Sequence, residues 1–199
     1  MDKKAIQERR MKNYFIEAAK AVVREEGLNN LTVKKVADRA GYAPGTLYNY
    51  FADLNHLLFY CIVEFMAECK GEILKVTAKA RGGRDKLIRA SQTYFQYFMS
   101  NPNIFQLVFL ADMGEVPPEL EEDINGLEVV LLLQDILRDC AAEQNIREEK
   151  MPVIENILST SLHGVMLFFI KARTVLDEGA VFRLIEEEID FLLGQDEEN

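Results

Sequence analysis

The chain has 199 residues, enough to bury a sizeable core as one domain or two small ones, and its 49 % hydrophobic residues place it with globular proteins. A net charge of −10 at pH 7 argues at first against nucleic acid as a partner. Cys61, Cys69 and Cys140 have no CxxC spacing and signal neither a disulfide framework nor a zinc site, so buried thiols are expected and no metal or cofactor. No apolar run reaches the roughly eighteen residues of a membrane span, and the N-terminal MDKKAIQERRMK lacks the apolar stretch of a signal peptide. A cytoplasmic protein with no membrane partner is expected.

The charge is unevenly spread. Residues 1–55 hold ten basic and seven acidic side chains, a net +3, which leaves −13 on residues 56–199. A modestly basic first segment can gain affinity from counterion release at phosphates while an acidic remainder stays off the duplex.

From the N-terminus, Ala5 to Glu26 reads as one helix with Phe15, Ala18, Ala19 and Val22 on a single face, ended by Gly27. Lys3, Lys4, Arg9 and Arg10 at its start either reach DNA as an arm does or fray in solvent. Leu28 and Leu31 are expected to fold back onto the apolar face. Thr32 can N-cap a second helix in which Val33, Val36, Ala37 and Ala40 form the apolar stripe, with Lys34, Lys35 and Arg39 off it. Gly41 suits its C-cap, and Pro44 the first turn of a third helix. That third helix is short and polar. Gly45, Thr46, Tyr48, Asn49 and Tyr50 are small or hydrogen-bonding, and only Leu47 and Phe51 give it an anchor. A helix so built presents its face outward, as the second helix of a helix-turn-helix does in the major groove.

The wording of this stretch, TVKKVADRAGYAPGTLYNYF, resembles the TetR family of bacterial transcriptional regulators, through Thr32, Val36-Ala37, Ala40-Gly41, Gly45-Thr46-Leu47-Tyr48, Phe51 and Leu57-Leu58. The resemblance implies that Thr32, Thr46, Tyr48 and Tyr50 hold phosphates and that Tyr42, Pro44, Gly45 and Asn49 lie at or near the bases. Lys34, Lys35 and Ala43 complete the expected DNA face. Ala43 departs from the family's usual serine or threonine cap, and Leu54 from its usual lysine. A plain helical hairpin inside a bundle is the other reading of the stretch.

Asp53 can cap a long helix running to about Ala80, with a break at Arg81-Gly82-Gly83-Arg84. A helix follows from Lys86 to Met99, interrupted by Asn101-Pro102. After the segment IFQLVFLADM and the break at Pro117-Pro118, one helix is expected from Glu119 to Gln144. Two more, Val153 to about Val175 and Ala180 to Leu193, are apolar on more than one face, which suggests a partner surface. The tail Gln195 to Asn199 is acidic and expected to be disordered. No strand signal competes, so the fold expected is all-α. It comprises a three-helix head over residues 1–52 and a helical effector-binding and dimerisation domain over 53–199, about nine helices together.

The resemblance further implies a homodimer formed by the last two helices. Ile157, Ser161, Gly164, Val165, Phe168, Phe182, Ile185 and Ile189 are the expected interface, Gly164 allowing a close crossing. It also implies an inducer cavity, for which Phe65, Met66, Cys69, Tyr94, Phe98, Phe105, Phe109, Met113 and Met166 are the expected lining, with Tyr94 or His163 as polar handle. Such a lining suits a small, largely apolar effector. Ordinary core packing is the other reading of each of these residues. The function expected is a ligand-responsive repressor binding an inverted-repeat operator. An activator, or a head that no longer binds DNA, shares the fold. An enzyme is the rival class, but the chain has only His56 and His163, and no glycine-rich phosphate loop, nucleophile elbow or HExxH.

Overall fold

The structure, a computed structural model, describes residues 3–194; the tail Gln195 to Asn199 lies outside them. The described residues are helical, with no strand among them: α1 Lys3–Glu26, α2 Val33–Ala40, α3 Pro44–Leu47, α4 Leu54–Thr77, α5 Gly83–Ser100, α6 Pro102–Phe105, α7 Glu121–Asn125, α8 Glu128–Glu143, α9 Met151–Ile170 and α10 Glu178–Leu193. They form two compact units, Met1–Ala67 with Asn101–Leu127, and Glu68–Ser100 with Glu128–Asn199. The division falls inside α4, between Ala67 and Glu68, and residues 101–127 belong with the first unit. There α6 packs on α1, and Asn103 Nδ2 donates to the Arg24 carbonyl at 3.2 Å. Gly27, at φ 77°, permits this approach, since a Cβ there would lie 3.0 Å from Asn103 Oδ1.

The first unit is organised on α1. Its apolar stripe buries Phe15, Ala18, Ala19 and Val22, as the helical spacing predicts. Phe15 is fully buried, and its ring meets those of Tyr42 at 5.6 Å, Tyr50 at 6.1 Å and Phe51 at 6.4 Å. Full burial of one such ring stabilises by about 1.5–3 kcal/mol, so this side chain is the centre of the head. Thr32 accepts from Lys35 N at 3.2 Å, and Gly41 adopts φ 80°, so α2 starts and stops where its sequence says. Asp53 accepts from His56 N at 2.8 Å and caps α4.

In the second unit α5 packs against α8, α9 and α10. Phe95 is fully buried, with the rings of Phe169 at 5.6 Å and Phe182 at 6.1 Å set edge-on to it. A Cβ on Gly83 would lie 2.6 Å from Glu143 Oε2 and 2.9 Å from the Cys140 Cα. Only glycine lets α5 begin against α8, and its N–H donates to Glu143 Oε2 at 2.9 Å.

Three expectations need correction. The single helix from Glu119 to Gln144 is broken into a turn at Pro118–Leu120, α7 and α8. Asn125 and Gly126 are poor helix formers, and the glycine alone costs about 1 kcal/mol against alanine. The helix expected to reach Val175 stops at Ile170. Ala172 takes φ 50°, its N–H bonds the Phe169 carbonyl at 3.0 Å, and Arg173 N bonds the Phe168 carbonyl at 2.8 Å. This is a Schellman ending without the glycine that usually marks it. Finally, Glu148–Ile170 is long and apolar enough, by length and composition, to cross a membrane. The expectation that no segment has this character missed it because Glu155 and His163 interrupt the apolar run without ending the helix.

Candidate nucleic-acid interface and second-unit cavity

Packing decides which side of the helix-turn-helix faces out. Val36, Ala37, Leu47 and Phe51 are buried, and this turns the polar side of α2 and α3 to solvent. Thr32, Lys34, Lys35, Ala43, Pro44, Gly45, Tyr48 and Asn49 are exposed, Tyr48 by 57 %. Thr46, Tyr42 and Tyr50 are half-buried, the two tyrosines held by Phe15. No side chain caps α3 at Ala43, and a Cβ on Gly45 would meet nothing within 4 Å, so the start of α3 is low and open to close approach.

Charge on this face is more tightly accounted for than the sequence suggests. Lys35 Nζ lies 2.6 Å from Glu26 Oε2, and Arg39 Nη2 lies 2.6 Å from Glu25 Oε1. Lys20, which sequence reading counts with the basic side chains, is buried: it pairs with Glu17 at 2.8 Å and Glu64 at 3.9 Å, 5.8 Å from the Phe65 ring centre. Nothing in the local sequence marks these partners, since the pairs joining α1 to α2 span nine and fourteen residues.

The second unit contains a cavity of about 130 Å3 between α5, α8, α9 and α10. Leu87 and Leu137, with the half-buried Leu133, Leu158 and Leu162, form most of its wall. At one side the Tyr94 hydroxyl lies 3.1 Å from His163 Nε2, while His163 Nδ1 lies 2.7 Å from the Ser159 carbonyl. A carbonyl only accepts, so Nδ1 carries the proton and Nε2 accepts from Tyr94. Burial pushes the Tyr94 phenol above its ordinary pKa, with a smaller contribution from Cys69, so the hydroxyl keeps its proton. Burial likewise pushes the Cys69 thiol up to about 12.

The residues expected to line an effector site are distributed over both units. In the first, Phe65, Met66 and Phe105 are buried, Phe109 is 37 % exposed, 5.0 Å from the Phe105 ring, and Met113 is half-buried. In the second, Cys69, Phe98 and Met166 are buried, and Tyr94 lines the cavity together with His163. Among the expected dimer residues, Ile157 and Phe168 are 44 % and 55 % exposed, and Ser161, Gly164, Val165 and Phe182 are half-buried. Ile185 and Ile189 are buried within the chain itself. Val153 and Phe191, not among the expected residues, are 59 % and 85 % exposed. Val153 lies one turn before Ile157 on the same helix face.

An exposed polar helix on a buried anchor, preceded by a capped basic helix, defines a helix-turn-helix unit. Residues 15–61 match the family model described as bacterial regulatory proteins, tetR family. That match covers the helix-turn-helix and its flanks, 47 of the 199 residues, and makes this segment similar to the family's. The fatty acid metabolism regulator protein of Bacillus subtilis is 26 % identical over 113 residues, 57 % of this chain and 58 % of that protein. The chain thus spans little more than half the length of the curated relatives it matches. The crystal structure of a transcriptional regulator FadR from Bacillus subtilis in complex with stearoyl-CoA shares the fold, with a TM-score of 0.68 and 20 % identity over 91 % of this chain and 97 % of that one. A TetR transcriptional regulator from Rhodococcus sp. RHA1 superposes with a TM-score of 0.62 and 22 % identity over 94 % and 97 %.

Proposed function

We propose that the protein is a cytoplasmic, homodimeric repressor that binds an inverted-repeat operator through α3 and is released by a small, largely apolar effector. The observation that carries the reading is the outward face of α2 and α3, polar and open at Gly45. DNA binding is assigned to residues 1–52, and effector binding and dimerisation to residues 53–199. Two α3 helices about 34–36 Å apart enter successive major grooves of one operator. Thr46, Tyr48 and Tyr50 position the head on phosphates, and Asn49 reads a base edge. The apolar exposure of Val153, Ile157 and Phe168 supports a second copy as the partner of α9. The apolar walls of the second-unit cavity support the effector, as does the stearoyl-CoA held by the solved neighbour.

The effector acts through α4, the helix that both units share. Its effect is limited to its differential affinity for the two states, of which about 1–3 kcal/mol is ordinary, and operator must weaken effector binding by the same factor. The test is anisotropy on a set of operator variants. Tyr48→Phe is expected to weaken all of them alike, and Asn49→Ala to flatten preference at particular base pairs. Equal losses for both variants across the set would overturn the assignment of roles.

A further inference from the structure

We infer that the cavity between α5, α8, α9 and α10 takes a small apolar molecule carrying one protonated amine, with Glu188 as its partner. This rests on the effector reading above and names the effector's chemistry. The walls are leucine, so the bulk of the ligand is apolar; a cavity near 130 Å3 is of the size that holds a single aromatic ring. Its charged groups are of one sign, beside the neutral Ser91, Gln134 and Ser159. No lysine or arginine lines it, while two carboxylates, Glu155 and Glu188, do. Glu155 is matched by Arg138, whose Nε lies 3.1 Å from it and whose side chain is 60 % exposed outside the lining. Glu188 accepts from the Ser161 hydroxyl and, among the described residues, has no cation beside it.

The remaining handle points the same way. The Tyr94 proton is committed to His163 Nε2 and the His163 proton to the Ser159 carbonyl, so the Tyr94 oxygen has lone pairs to offer and no proton. A ligand that donates hydrogen bonds therefore finds acceptors. A ligand carboxylate finds none of the cations that an anion leaving water requires, and meets Glu188 as a like charge. An ammonium instead meets a carboxylate and a phenol oxygen, and hydrogen bonds with an ionised partner are the stronger kind. The anionic end of an acyl ligand finds no lysine or arginine in this lining.

The experiment is calorimetric titration of the full-length protein with four one-ring probes, toluene, benzyl alcohol, benzylamine and benzoate, with operator release read separately by anisotropy. Benzylamine is expected to bind about tenfold more tightly than benzyl alcohol and benzoate more weakly than toluene, as a hydrogen bond to a charged group implies. Glu188→Gln keeps the shape and the Ser161 contact. It is expected to remove most of the amine's advantage and leave toluene and benzyl alcohol within about twofold. The ranking in the unaltered protein tests the inference without any variant. If toluene and benzyl alcohol bind but benzylamine binds no better than benzoate, the amine assignment is overturned and an apolar effector stands. Binding by none of the four overturns both. Benzylamine binding in the expected order with operator affinity unchanged upholds the site and overturns the switch.

Discussion

The Tyr94 hydroxyl meets His163 Nε2 at 3.1 Å, with the two rings edge-on at a centroid separation of 5.8 Å. The contact joins α5 to α9 across the cavity wall and fixes the imidazole's tautomer. Tyr94→Phe removes a partner of Nε2 but keeps the ring, so a loss of about 1 kcal/mol in unfolding free energy is expected. His163→Phe replaces an acceptor by an apolar edge and strands the phenol, with a similar loss. The double variant is expected to be less destabilised than the sum, because the two side chains share one bond; strict additivity in urea denaturation would show that they do not.

On the head, Glu26 holds Lys35 at 2.6 Å. Glu26→Gln releases Lys35 to reach a phosphate and removes one negative charge near the duplex. Affinity for operator and for unrelated duplex should rise together, and the slope of log affinity against log salt should steepen by about 0.9 for one added phosphate contact. Stability should change by no more than about 0.5 kcal/mol, since the pair is exposed. An unchanged salt slope would show that Lys35 does not turn to DNA.

Gly164 offers a test of the proposed dimer that leaves folding untouched. A Cβ there would meet nothing within 4 Å of the protomer, so Gly164→Val is not expected to clash inside the chain. If α9 meets a second copy at this position, the same substitution should give monomers in sedimentation while the helix content stays unchanged. Phe168→Glu, at a side chain 55 % exposed, should do the same through an unfavourable buried charge. Intact dimers from both variants would move the contact off α9.

Arg84 grips Asp190 with two hydrogen bonds, Nε to Oδ1 at 2.6 Å and Nη2 to Oδ2 at 2.7 Å, joining α5 to α10. These bonds hold the Asp190 carboxyl below its ordinary pKa. A depressed folded-state pKa contributes stability above the unfolded value of about 4 and loses it as pH falls through the folded value. Asp190→Asn should therefore be less stable than the parent at pH 7, by no more than about 1 kcal/mol because both groups are half-exposed. The two proteins should converge in melting temperature at acid pH. A gap that widens toward acid would contradict the linkage.

The head was legible because its signals are local. Thr32 as a cap, Gly41 in the left-handed region and the four-residue spacing of Leu47 and Phe51 each act within one or two turns, and each fixes the backbone regardless of what packs behind it. The chain's helical class follows for the same reason, from apolar spacing along every long segment. The end of α9 was not legible, since Ala172 occupies a conformation that glycine normally announces. Equally hidden was the loss of Lys20, Lys35 and Arg39 to acidic partners, because ion pairing depends on which helices become neighbours. The same limit governs the second unit. Sequence marked Tyr94 and His163 as polar residues among apolar ones, but only tertiary packing brought them 69 positions apart into one hydrogen bond, and only packing separated Glu155, matched by Arg138, from Glu188, which is not. A side chain's charge is written in the sequence; whether it is spent inside the protein or left for a ligand is decided by distance in the folded chain.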